Sequence, residues 1–367
     1  MKRPILPSLV IFSLLITCCE TIPENNCGEE DIFSSLTDSG IIFISRRTEN
    51  SADYSLFKMN MDGRGQEKMT DLVVRYQKPV ISHFGVNILF VHYSDDNYYE
   101  LYSIQIDGSN LTLLDRAKRY CGSPGWSNDD SKIIYLRSRN ESTDDKDIIL
   151  FDVGSGDKII LDDTENNISA SLSKDNKIAY CKQSDNVNEI FTMDIDGSNK
   201  QKILNNGSGP VWSPGGKRIA YTVNICNSPD EFFGSPQIFV ACSDGSCSRQ
   251  LTDSYLPALD IGFRSPGNYY PVWTPDGKKI VYISDADDGT PEIYIMNSDG
   301  SKKQRLTDTE RRNEHPEISS DGKLIYFVSN RDLEYDADIY VMDINGKNPV
   351  PLSKYPREDV LPALRRK

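Results

Sequence analysis

After residue 40 this chain repeats itself, and that periodicity limits its fold more than any other feature. Residues 270–284 read YPVWTPDGKKIVYIS, and residues 209–223 read GPVWSPGGKRIAYTV. The stretches that follow also match: PEIYIMNSDGSKKQRL at 291–306 and NEIFTMDIDGSNKQKIL at 188–204. The unit is a Pro-x-Trp-Ser/Thr run, a Pro-Asp-Gly-Lys turn, an Ile-x-Tyr run, a variable loop, a Glu-Ile-Tyr-x-Met run, a second Asp-Gly turn and a Leu-Thr run. Short alternating runs between turn signals read as strands, and Asp-Gly marks hairpins because glycine accepts the positive φ they need. The second turn recurs at Asp62-Gly63, Asp107-Gly108, Gly154-Ser155-Gly156, Asp196-Gly197, Asp244-Gly245, Asp299-Gly300 and Asn345-Gly346. The step is about 47 residues, as for blades of four strands.

The second strand is predicted seven times, beginning near Ile41, Asn87, Lys132, Lys177, Arg218, Lys279 and Leu324. A lone four-stranded sheet cannot bury both faces, whereas blades stacked in a ring bury both and limit exposed edges. The expectation is an all-β chain: a seven-bladed β-propeller of four-stranded antiparallel blades over residues 40–367, with six blades as the alternative count. The first blade lacks a Pro-x-Trp strand before Ile41, and Leu361-Pro362-Ala363-Leu364 resembles the missing piece. The carboxyl terminus is therefore expected to complete blade one and close the ring.

Residues 1–20, MKRPILPSLVIFSLLITCCE, place Lys2 and Arg3 before an apolar stretch at 5–16 that is short for a bilayer span. Residues 1–18 read as an export signal, and Leu15-Ile16-Thr17-Cys18-Cys19 resembles a bacterial lipoprotein box. That resemblance implies lipid on Cys18 or Cys19 and a membrane anchor. Residues 19–39 are polar and acidic, as a tether would be. The 55 acidic residues against 41 basic ones, a net charge of -14, argue against nucleic acid as a partner.

The repeats, strongest over 209–353 and weakest over 40–78, resemble the WD40-like repeat of the TolB-type β-propeller family. The resemblance implies a docking surface for another cell-envelope protein. TolB proper carries an α/β domain ahead of its propeller, which residues 19–39 are too few to supply.

Strand parity sorts the connections. The uniform glycine turns share one face, and the variable loops share the other, where function is expected. Two neighbouring loops there are long. Residues 224–236 carry Phe232 and Phe233. Residues 253–268 carry Tyr255, Leu256, Leu259, Ile261, Phe263 and Arg264, followed by Tyr269 and Tyr270. Aromatic and Arg side chains are enriched at interface centres, so Phe232, Phe233, Tyr255, Phe263, Arg264, Tyr269 and Tyr270 form the candidate partner patch. The competing expectation is that they fold back over the ring mouth as core, and a small-molecule or glycan site is a third. The loops at 94–100, 137–147 and 330–338 are acidic and read as a rim favouring basic partners, or simply as solvated loops.

Catalytic chemistry has little support. His83, His92 and His315 are dispersed, with His83 placed opposite His315, which argues against the His-held metal of propeller lyases that degrade oligogalacturonides. Asp194–Gly197 begins like a calcium loop, but a strand follows where the remaining ligands would stand. No Gly-x-Ser-x-Gly elbow, P-loop or dinucleotide fingerprint occurs. No cofactor or metal is expected. Cys242 and Cys247 bracket one hairpin turn and are spaced for a disulfide, whereas Cys27, Cys121, Cys181 and Cys226 have no readable pairing. Trp126, Trp212 and Trp273 fall at equivalent places and are expected in the core between blades. The reading is a non-catalytic exported scaffold, with a glycan-binding or metal-dependent oligosaccharide lyase as the alternative.

Overall fold

The computed structural model describes residues 40–46, 53–75, 77–143, 145–164, 166–184, 187–225, 234–253, 266–332, 337–354 and 359–364. They form twenty-eight strands in seven four-stranded antiparallel sheets. In six sheets the strands lie side by side in chain order. The first strand of each blade touches the first strand of the next, all the way around, so these strands line the centre of a closed ring. The expectation of seven blades holds. No helix among the described residues is long and apolar enough to cross a membrane.

Blade one is the exception in order. Its innermost strand is the last of the chain, Asp359–Leu364, which pairs with the first, Gly40–Ser45. Ile41 lies opposite Leu364, Ile42 opposite Ala363, and Ile44 opposite Val360. The tail thus supplies the strand that is missing before Ile41. Val360 and Leu361 are buried in one cluster with Ile42, Ile44, Leu56, Ile88 and Phe90, which joins blades one and two.

The motif residues each have a physical task. The Ser or Thr before each first turn is buried and takes the backbone N–H of the residue four or five positions on. Ser127 Oγ accepts from Lys132, Ser213 Oγ from Arg218, Thr274 Oγ1 from Lys279 and Ser319 Oγ from Leu324, all within 2.9–3.1 Å. The hydroxyl closes the turn and needs no water. The glycine of the second turn does two things. It holds a φ near +80°, and it lets the turn press against the blade before it: a Cβ on Gly346 would stand 2.8 Å from the Leu306 carbonyl oxygen. The Thr or Ser that ends each Leu-Thr run caps the third strand. Thr252, Thr307 and Ser353 accept from the backbone N–H of Ile238, Ile293 and Ile339, each at 2.9 Å.

The Ile-x-Tyr runs supply the core. Phe43, Phe90, Tyr180, Tyr221, Tyr282 and Phe327 each pack on an aromatic of the third strand at 5.5–5.7 Å between ring centroids. Blade three replaces the second ring with Ile149. There the Tyr135 hydroxyl donates instead to buried Asp115, which also meets Lys158 at 2.9 Å and Arg137 at 3.2 Å. Burial opposes the Asp115 charge most strongly, but the bonds from Tyr135 and Lys158 outweigh it and hold the carboxyl below its ordinary range. Trp126, Trp212 and Trp273 are all buried. The indoles of Trp126 and Trp273 donate back to Val80 and Val211 in the inner strand of a preceding blade.

A polar belt joins blades near the loop face. Buried Asn313 donates to Glu292 of the preceding blade at 2.8 Å, and buried Asn268 donates to Gln237 at 3.1 Å. Glu292, itself 1% exposed, also accepts from Thr307 and from the backbone of Thr309, and it lies 3.3 Å from Arg305.

Two expected outcomes follow from closure and from the belt. Removing residues 358–367 exposes the Ile42–Ile44 edge and costs roughly 4 kcal/mol or more, a sharp fall in melting temperature; an unchanged melt would overturn the closure. Glu292→Ala strands Asn313, Thr307 and Arg305 and costs about 3 kcal/mol by urea unfolding. Glu292→Gln costs about 1 kcal/mol, because Gln237 already fills the same role one blade earlier.

Candidate loop-face site

The innermost strands carry a deformation that decides what reaches the centre of the ring. In five blades an X-Pro pair stands opposite one aromatic of the second strand, so two residues face one and the register shifts. Ser123-Pro124 opposes Tyr135, Gly209-Pro210 opposes Tyr221, Tyr270-Pro271 opposes Tyr282, His315-Pro316 opposes Phe327 and Leu361-Pro362 opposes Phe43. This is a β-bulge, and bulges re-aim side chains. Proline suits it, since the bulged residue needs no ladder N–H. The residue before it has φ between 51° and 57° in all five. Glycine takes that conformation freely, as at Gly209, whereas a tyrosine or histidine bears roughly 1–2 kcal/mol of strain there.

Tyr270 and His315 occupy this place in adjacent blades, and their rings lie 6.3 Å apart. Tyr270 is 62% exposed, unusual for a large aromatic within a strand. It also meets Tyr269 edge-to-face at 5.5 Å, and the Tyr269 hydroxyl donates to Asp285 at 3.2 Å. Burial lowers the His315 pKa from its ordinary value; Glu314 and Glu317 pull it up, while Lys78 and Arg312 push it further down, which favours the neutral imidazole. Lys78, the residue before Pro79 in blade two, pairs with Glu317 of blade seven, passing the inner strand of blade one between them.

A second aromatic group lies on the loop face at blades two and three. The Tyr93 and Tyr99 rings meet edge-to-face at 5.1 Å, and Tyr120 lies 6.2 Å from Tyr99. The Arg75 guanidinium stacks 3.9 Å from the Tyr93 centroid and 5.4 Å from that of Tyr99. Arg116 lies 4.2 Å over Tyr98, and the Tyr120 hydroxyl bonds bulge residue Ser123 at 2.7 Å.

Of the seven expected patch residues, the structure places Tyr269 and Tyr270 side by side on the loop face. Phe232, Phe233, Tyr255, Phe263 and Arg264 lie outside the described residues, as do Cys18 and Cys19. The loop at 94–100 departs from a plain acidic rim. Asp95 and Asp96 are exposed, but Tyr98 and Tyr99 lie under cations. His83 bonds Asp130 at a glycine-type turn, and His92 bonds the Val73 carbonyl at 2.6 Å. No group of three or more His, Cys, Asp or Glu placed to hold a metal occurs among the described residues. Cys242 and Cys247 are joined across their turn, with Cα atoms 5.6 Å apart. Cys121 and Cys181 are buried free thiols, and burial pushes Cys181 up to about 12.

The Arg75–Tyr93–Tyr99–Tyr120 group escaped sequence reading because its members come from three separate segments with no shared motif. The one available signal was a tyrosine-rich stretch, 93–99, interrupted by acids. The bulge had a clearer trace, an X-Pro pair three residues before each Trp.

Comparison with known proteins agrees with this architecture. A 99-residue stretch is 36% identical to the uncharacterized protein Atu1656 of Agrobacterium fabrum, covering 27% of this chain and 30% of that protein. A 62-residue stretch is 37% identical to the Tol-Pal system protein TolB of Alcanivorax borkumensis, covering 17% of this chain and 14% of that one. The chain thus spans less than a third of the length of these relatives. The crystal structure of TolB from Acinetobacter baumannii superposes with a TM-score of 0.54 at 19% identity, covering 89% of this chain and 82% of that one. An oligogalacturonate lyase from Vibrio parahaemolyticus superposes with a TM-score of 0.59 at 14% identity, covering 86% of each chain, so the fold alone does not separate scaffold from enzyme. The TolB beta propeller domain model matches residues 79–256 and 264–363, most of the ring, and the chain therefore belongs to that family.

Proposed function

We propose that this protein is a non-catalytic scaffold of the cell envelope that docks another protein on its loop face. The observation that carries the reading is Tyr270: a mostly exposed aromatic held by a bulge in a strained backbone conformation, beside His315 and Tyr269. The same backbone conformation recurs at Ser123, His315 and buried Leu361, so what sets Tyr270 apart is the exposure of its ring. A rigid, half-supported tyrosine is also a typical interface anchor. On this reading Phe232, Phe233, Tyr255, Phe263 and Arg264 extend the same surface. The names of the TolB relatives support a protein partner, and the lyase neighbour supports the competing glycan reading.

We also propose export through residues 1–18, lipid on Cys18 or Cys19, and a tether over 19–39. Replacing both cysteines with serine is expected to move the protein from the membrane pellet to the soluble fraction. Retention in the pellet would count against the anchor.

Tyr270→Gly separates fold from function. Gly209 shows that glycine fits the bulge, so the variant melts at the same temperature or higher, by about 1 kcal/mol of relieved strain. Crosslinked capture of the native envelope partner falls at least about tenfold, the size of one lost anchor. A variant that captures as well as the parent would sink the docking reading.

A further inference from the structure

Among the described residues most cations on the loop face are neutralised. Arg116 faces Glu100 at 3.7 Å, Lys118 faces Glu141 at 3.4 Å, Arg137 faces Asp115 at 3.2 Å and Arg139 faces Asp147 at 2.8 Å. Arg75 departs from this. Its guanidinium has no carboxylate and no hydrogen-bond acceptor among the described residues, and its Nε is buried without a partner. The chain has an acidic excess of 14, so a shortage of carboxylates does not explain the gap.

The side chain is nevertheless held firmly. The Arg75 backbone N–H donates to the Val91 carbonyl at 2.8 Å, its carbonyl accepts from Gln77 at 2.6 Å, and neighbouring Val74 bridges both Tyr54 and His92. The guanidinium carbon lies over the Tyr93 ring and within 5.4 Å of the Tyr99 centroid. Stacking of this kind fixes a guanidinium in orientation and leaves its in-plane N–H fork unused. Such a fork is matched to a planar carboxylate, which it can bind through two parallel bonds.

We propose that Arg75, clamped by Tyr93 and Tyr99, is the receptor for a carboxylate on the protein partner, an Asp or Glu side chain or a free carboxyl terminus. The proposal rests on the protein-docking reading above and adds the chemistry that the partner must present. The surroundings favour a single negative charge. Asp95 and Asp96 lie two and three residues after Tyr93, and Glu100 and Glu141 are nearby, a field that penalises a phosphate dianion more than a carboxylate. The aromatic walls add apolar area beside the charged group, which suits a carboxylate flanked by an apolar side chain.

The test uses the full-length protein on an array of immobilised dodecapeptides in two matched sets, one containing Asp and Glu, the other with each replaced by Asn or Gln and the carboxyl terminus amidated. The parent is expected to bind the carboxylate set at least about tenfold better, one strong charge-assisted contact. Arg75→Gln equalises the sets. Arg75→Lys keeps the charge without the fork and retains only part of the preference. Tyr93→Leu, which leaves the cation but removes its support, lowers the preference several-fold and serves if Arg75→Gln does not fold. Tyr270→Gly weakens both sets alike. A parent without preference, or a preference that survives Arg75→Gln, overturns the carboxylate receptor while leaving protein docking intact. Binding of trigalacturonate with no binding of either peptide set overturns both.

Discussion

The structure depends on the antiparallel pairing of the last strand with the first. Each blade buries its faces against its two neighbours, so the seam between the first and last blades must also be packed. Asp359–Leu364 closes that gap by adding an inner strand to a sheet whose other three strands come from the opposite end of the chain. Val360 then packs at once on the second strand of its own blade and on blade two, through Ile42, Ile44, Ile88 and Phe90. A contact between the chain ends is the most non-local pairing a chain can make, so its loop-closure cost is the largest. Apolar side chains packed between the seven blades offset it.

The repeat was legible because its motif residues serve the backbone. Ser, Thr, Gly and Asp recur where hydrogen bonds must be closed without water, and such positions tolerate few residue types. Thr307 Oγ1 and Ser127 Oγ accept backbone N–H groups that no strand ladder reaches. The second-strand starts were therefore readable from spacing, and the tail closure from the likeness of residues 361–364 to the strand missing before Ile41. Blades two and three show why the reading fades. At the place of Thr307, blade two carries Asp115 and blade three carries Asp162. Each is then paired with cations, Lys158 and Arg137 for the first and buried Lys182 for the second. An Asp in place of Thr thus takes partners from strands of the next blade, Tyr135, Arg137 and Lys158 for Asp115.

The site was legible only in part. Tyr269 and Tyr270 could be marked from composition, since aromatic residues outside the periodic pattern stand out. The strain at Tyr270 could not, because φ depends on register against Tyr282 and Ile283 across the sheet. The Arg75 group was harder still. Its cohesion comes from ring geometry between the crossing segment, the second and third strands of blade two, and the next crossing. Cation–ring stacking imposes no spacing in the sequence, and acids interleaved with the tyrosines made the segment look merely charged.

The same seam sets the mechanical character of the molecule. Gly40 begins a strand flanked on one side by Asp359–Leu364 and on the other by Ser55–Asn60, so it is interior to its sheet. A pull on the chain ahead of Gly40, directed along that strand, loads two ladders of hydrogen bonds in shear, all of them together. A pull on the tail loads an edge strand held by one ladder. Tension arriving from the leading segment therefore meets the stiffer grip, and the ring yields first at its trailing end.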